Sequence, residues 1–107
     1  FADILVQKSF EQYQTFGSTH GKKVVITEIG WPTSSAPSDS NIGRPDVAAA
    51  FLRKWAAFAA EHGIEYYWFE LFDSSWKKAT LPHEPASMSE FNWGLIRDDH
   101  LTDKGLI

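Results

Sequence analysis

The sequence predicts a parallel α/β fold, and three stretches carry that prediction. Residues 24–32, VVITEIGWP, open as a continuous apolar or β-branched run and stop at a proline, and residues 64–72, IEYYWFELF, are aromatic throughout apart from Glu65 and Glu70. Between them, Val47, Phe51, Trp55, Phe58 and Ala59 recur at helical spacing. Strand, helix and strand in succession form a βαβ unit, whose strands pair in parallel through a right-handed crossover.

Each element has its own local justification. Residues 1–16 place Phe1, Ile4, Leu5, Lys8 and Gln12 at helical steps, with Val6, Phe10, Tyr13 and Phe16 widening the apolar face, so an amphipathic helix is expected. Gly17, Ser18 and Gly21 supply stop signals for a turn over residues 17–23. The first strand follows, buried on both faces if its unbroken apolar run is taken at face value. Residues 33–44, TSSAPSDSNIGR, are polar and aperiodic, and read as a long loop that serves as a plain linker or as the wall of a cleft. Pro45 at a first helical position and Asp46 near the positive end of the helix dipole start the central helix, and Gly63 ends it. Residues 73–91 are irregular, 93–96 form a short strand or turn, and 97–104 read as a charged closing loop.

Composition narrows the function classes. The chain has 107 residues, 43% hydrophobic and 22% charged, enough for one globular domain with a core. A net charge of -4 without any basic stripe argues against nucleic acid and anionic membranes as partners. No window approaches the roughly 20 apolar residues of a membrane span. Cysteine is absent and His20, His62, His83 and His100 are scattered, so neither a metal site nor another cofactor is expected. The chain opens inside an apolar periodic pattern without an initiator Met, and is therefore expected to be a piece of a longer protein.

Chemistry in a parallel α/β sheet gathers beyond the carboxyl ends of the strands. There the first strand carries Glu28, Gly30 and Trp31, and the second Glu70, Phe72, Asp73, Trp76 and Lys77. Strict alternation would put Glu28 on one face with Val24 and Ile26, and Glu70 on one face with Tyr66 and Trp68. If that face is the mouth of a sheet or barrel, both acids point into it. Paired carboxylates between aromatic walls suit glycoside cleavage, where one acid protonates the leaving oxygen while a carboxylate attacks or stabilises an oxocarbenium-like centre. The same residues allow other readings: Glu28 as a turn cap or ion-pair partner, Glu70 paired with Lys77 or Arg97, Glu90 tying down the last loop, Asp73 as a turn or cap residue, or Glu28, Glu70 and Asp73 as Mg²⁺ ligands. Trp55 is assigned to helix packing and Trp68 to the interior of the barrel.

Three motifs in order sharpen this. ITEIGWPTSS resembles the nucleophile strand of glycoside hydrolase family 17, the fungal, oomycete and plant β-1,3-glucanases and glucanosyltransferases; YYWFELFDSSWK is similar to the following strand in its fungal-type form, and SEFNWGLI to the closing segment. The match runs from Lys22 to Ile107. The resemblance implies a (β/α)8 TIM barrel of which residues 1–107 are the C-terminal portion: a helix, strand seven, helix seven, strand eight and the closing loop. It implies that Glu28 is the nucleophile of a retaining, double-displacement reaction on β-1,3-glucan. Lys77 and Glu90 match positions at the edge of the site, Glu70 is expected beside Glu28, and Trp31, Trp76 and Trp93 are expected to wall or stack on sugar. Ser74 stands where many plant members carry an acid. The family's general acid/base lies in an Asn-Glu motif on strand four, and no such motif occurs in this chain. By the same resemblance the remainder of the barrel is an expected partner and the location is extracellular or cell wall. The alternative is a noncatalytic glucan-binding or structural piece.

Overall fold

A computed structural model describes residues 2–36, 42–81 and 85–107, with only the backbone described for 2–5, 9 and 85–87. Phe1, Pro82, His83 and the loop stretch 37–41 lie outside the described residues, as do the side chains of Ile4 and Leu5. The element order is α1 (Ala2–His20), β1 (Val25–Ile29), α2 (Pro45–His62) and β2 (Glu65–Trp68), followed by 3-10 turns at Ser75–Ala79 and Pro85–Phe91. The strands pair in parallel, as the βαβ reading requires.

α1 runs one turn beyond the expected stop. Gly17 lies inside the helix, and Gly21, at φ +61°, ends it. Lys22 N–H bonds back to Gly17 O and Gly21 N–H to Ser18 O, which satisfies two terminal carbonyls through a left-handed glycine. Gly17 serves packing instead: a Cβ there would sit 2.6 Å from the Val24 side chain. The apolar face is also narrower than its spacing suggests, since Val6 and Phe10 are buried while Tyr13 and Phe16 are exposed.

α2 follows the sequence closely. Pro45 opens it, Asp46 pairs with Arg44 at 2.7 Å, and Gly63 at φ +63° closes it. Trp55 is fully buried, with Tyr66 edge-on at 5.6 Å and Phe58 at 6.2 Å, and Phe58 in turn meets Phe10 edge-on at 5.5 Å. Val6, Phe10, Phe51, Trp55 and Ala59 form the core, and Ile26, Ile29, Tyr66 and Trp68 close over it from the sheet. Trp68 thus faces the helices, not a barrel interior. A second cluster of Ala48, Ala49 and Leu106 docks the end of the chain against the start of α2.

The second strand is shorter than the aromatic run 64–72. Phe69 N–H still bonds to Ile29 O at 2.8 Å, but from Glu70 the backbone changes partner: Glu70 N–H bonds to Trp93 O, Leu95 N–H to Glu70 O and Ile96 N–H to Leu71 O. Phe72 bridges Ile96 in parallel, and Ile96 bridges Asp103 in antiparallel fashion. Segment 93–96 is therefore an extended stretch that takes over from β1 as the partner of the chain beyond Phe69. Beyond the helix side, the sheet has an open face: Val25 is 39% and Tyr67 59% exposed. The expectation that β1 is covered on both faces fails here.

Candidate active site

Glu28 reaches the open face because β1 is irregular. Ile26 pairs with Tyr66 and Ile29 with Trp68, three steps on β1 against two on β2. The additional residue is a bulge, which resets the alternation. Ile29 returns to the helix side beside Ile26, and Thr27 and Glu28 are both exposed. Strict alternation had grouped Glu28 with Val24 and Ile26; the bulge corrects this, and the face of Tyr66 and Trp68 is the helix-packed one.

The bulge leads directly into Gly30. A Cβ at this position would lie 1.8 Å from the Phe69 carbonyl oxygen, so only glycine lets the two strand ends meet. Its close approach is to the neighbouring strand. Trp31 follows, its indole N–H donating to Ile42 O at 2.7 Å and its ring 5.2 Å from that of Phe51, which fastens the end of the polar loop to α2.

Glu28 lines a cleft of about 810 Å³ together with Trp31, Phe69, Lys77, Glu90 and Trp93. Lys77 is only 18% exposed and lies 3.8 Å from the Glu90 carboxylate, with its ammonium 5.5 Å from the centre of the Phe69 ring. Phe69 in turn meets Trp93 edge to face at 5.9 Å. The arrangement provides a carboxylate at a strand end, a cation and a second carboxylate at the rim, and flat apolar walls. Chemically it suits a polyhydroxylated ring, with apolar faces for the aromatics and hydroxyls for the charged groups.

Two of the expected site residues stand apart. Glu70 is half-buried and does not line this cleft; its carboxylate accepts the Ser74 hydroxyl at 2.8 Å, in place of an ion pair with Lys77 or Arg97. Trp76 is 67% exposed and also lies outside the lining, with the Lys77 ammonium 5.9 Å from its ring. Glu28, Glu70 and Asp73 do not converge, and no group of three His, Cys, Asp or Glu side chains able to hold a metal ion occurs among the described residues.

Asp73 is not a turn or cap residue. It is buried, accepts Gly94 N–H at 3.0 Å and pairs with Lys104 at 2.5 Å. Lys104 also donates to Thr33 Oγ1 at 2.8 Å. The sequence gives no sign of this, since a Lys in a charged tail normally reads as solvated. Nearby, the Ser75 hydroxyl and amide both donate to Asp98 and hold its carboxyl below the ordinary range.

The fold and site together define a parallel α/β unit with an aromatic-walled carboxylate cleft. No protein-family model matches the chain. It is similar to a putative glucan endo-1,3-β-glucosidase of Aspergillus niger, 33% identical over 115 aligned residues that cover 90% of this chain and 16% of the relative. Two solved structures match as well. One is the glycoside hydrolase family 17 β-1,3-glucanosyltransferase of Rhizomucor miehei, with a TM-score of 0.73 and 21% identity over 95% of this chain. The other is an active-site mutant of that enzyme in complex with laminaritriose, with a TM-score of 0.71 and 22% identity over 99%. The chain thus resembles glucan endo-1,3-β-glucosidases in sequence and a glycoside hydrolase family 17 enzyme in fold. The chain spans about one sixth of the length of the glucosidase and 35% of each solved chain.

Proposed function

We propose that the chain is the nucleophile-bearing, C-terminal portion of a single (β/α)8 catalytic domain that cleaves or transfers β-1,3-glucan with retention. The observation that carries this reading is the bulge that turns Glu28 out of the helix-packed face and into the cleft of Lys77, Glu90 and Trp93. The relatives' names and the laminaritriose complex support the substrate class.

In the first step a Glu28 carboxylate oxygen attacks the anomeric carbon and the glycosidic C–O bond breaks. The leaving oxygen takes a proton from a carboxylic acid provided by sequence beyond these residues, about 5 Å from Glu28 as retention requires. Water or a sugar hydroxyl then attacks the glycosyl ester, gives its proton to that same group and releases Glu28. Water yields hydrolysis and a sugar hydroxyl yields transglycosylation. Trp31 and Trp93 wall the sugar, and Lys77 with Glu90 contacts its hydroxyls; Glu70 and Trp76 act at most from the periphery. We place the enzyme outside the cell or in the cell wall, where its polymer is; no helix among the described residues is long and apolar enough to cross a membrane.

A 2-deoxy-2-fluoro β-glucosyl inactivator tests the assignment on the protein as it occurs. Peptide mapping is expected to find the label on Glu28. Labelling of another carboxylate overturns the nucleophile assignment. Glucan binding that survives Glu28→Gln, with no turnover by the unsubstituted protein, favours the noncatalytic binding reading.

A further inference from the structure

Trp93 is the cleft wall farthest in sequence from Glu28, and its backbone is held on both sides by the same buried group. On one side Asn92 O accepts Thr33 N–H at 2.8 Å and the Thr33 hydroxyl at 3.1 Å. On the other, Gly94 N–H donates to Asp73 Oδ1 at 3.0 Å, and a Cβ on Gly94 would lie 2.1 Å from Asp73 N. The Lys104 ammonium bonds to both anchors, Thr33 Oγ1 at 2.8 Å and Asp73 Oδ1 at 2.5 Å. Its side chain is 5% exposed and that of Asp73 8%.

We propose that Lys104 is a positioning residue: with Thr33 and Asp73 it forms a clamp that brackets Trp93 and fixes that ring against Phe69 in the Glu28 cleft. The clamp joins three stretches distant in sequence: the loop after β1, the segment that follows β2 and the closing segment. The Lys104 ammonium bonds to Thr33 and Asp73, neither of which is expected to contact sugar, so its effect passes through Trp93. Burial makes the clamp stiff, because a charge pair shielded from water holds its geometry only with its partners in place. A ring set in advance binds without an ordering cost, whereas a loosened one must be ordered by the ligand. The role in sugar binding rests on the glucan reading; the positioning of Trp93 does not.

The test uses the protein as it occurs, ¹⁵N-labelled at tryptophan, with Thr33→Val and Lys104→Met variants and laminaritriose as probe. Thr33→Val removes one anchor and leaves the Asp73–Lys104 pair intact, so it keeps the test open if Lys104→Met does not fold. The Trp93 indole N–H resonance is expected to move in the variants while that of Trp55 stays. Affinity for laminaritriose should weaken about three- to tenfold, as a displaced binding group predicts, with kcat within about twofold. An unmoved Trp93 resonance and unchanged affinity in folded variants overturn the proposal. A moved resonance in a protein that never binds the trisaccharide supports the clamp and overturns the glucan reading alone.

Discussion

On the helix side of the β1–β2 sheet, Ile26, Ile29, Tyr66 and Trp68 close over Trp55 and Phe51, and every large partner comes from within the chain. On the other side Val25 and Tyr67 face outward, and Thr27 and Glu28 stand beside them without cover. The first face is a finished core built through short connections. The second is an apolar surface interrupted by a carboxylate, which is an expensive thing to leave in water unless something else closes over it or binds to it. A strand can serve both faces with one sequence only by alternating, and β1 breaks its alternation at the point where the acid must leave the core. The bulge thus separates the packed face from the exposed carboxylate within five residues.

Substitutions on the two sides should therefore fail differently, and the largest effect belongs to the open side. Glu28→Gln is expected to lower turnover of a β-1,3-glucan substrate by on the order of 10⁴-fold while leaving the denaturation midpoint almost unchanged, as loss of a nucleophile does. A matching loss of stability would mean that Glu28 is a structural acid after all. Trp55→Ala should do the reverse, costing about 3–5 kcal/mol of stability in a denaturant titration because the cavity it leaves is enclosed by α1, α2 and the sheet.

Gly30→Ala tests the junction between the two. A Cβ 1.8 Å from Phe69 O forces the strand ends apart, and the expected outcome is a stability loss of about 1–3 kcal/mol together with reduced turnover. Lost turnover at full stability would separate the bulge from packing. Tyr67→Ala in the 107-residue chain alone should change stability by no more than about 0.5 kcal/mol, the usual range for a solvent-facing position. If the chain is part of a longer protein whose barrel covers this face, the cost there should be clearly larger, and a second equilibrium titration in that context decides it.

The smallest effect is expected at the amino end of the sheet, where Lys23 and Glu65 pair at 2.6 Å on the surface. The pairing raises the Lys23 pKa and lowers that of Glu65, in each case chiefly through their shared hydrogen bond. The Glu65 contribution is present in full above the ordinary carboxyl value of 4.5 and is lost as pH falls through its depressed folded value. The Lys23 contribution is present in full below the ordinary amine value of 10.5 and is lost as pH rises through its raised folded value. Both side chains are solvated, so 1 M salt should erase most of the difference between Glu65→Gln and the unsubstituted protein in thermal melts.

Much of the architecture follows from local rules. Pro45, Asp46 and Gly63 bound α2 because each acts within one helical turn, and the apolar runs on either side of it favour strands through their β-branched and aromatic residues and their flanking glycines and prolines. EIGWP places a carboxylate, a glycine and a tryptophan at a strand end through residue types alone. The bulge was not legible, since pairing register depends on a partner more than 35 residues away in the chain. Nor was the exchange of partners after Phe69, which required knowing where 93–96 lies. Tyr13 and Phe16 carry the correct spacing for a helix face, but the extent of that face depends on how much of α1 the sheet and α2 can cover.

The sequence by itself determined the βαβ order, the helix limits of α2, the acid at the end of the first strand and the family that the motifs resemble, all of which rest on neighbours within a few residues. Only the tertiary structure decided which way Glu28 points, that Glu70 spends its carboxylate on Ser74, and that Asp73 and Lys104 meet in the interior. Those outcomes depend on contacts between segments distant along the chain. Burial, which makes such contacts strong, is a property of the folded whole and is not carried by any single stretch.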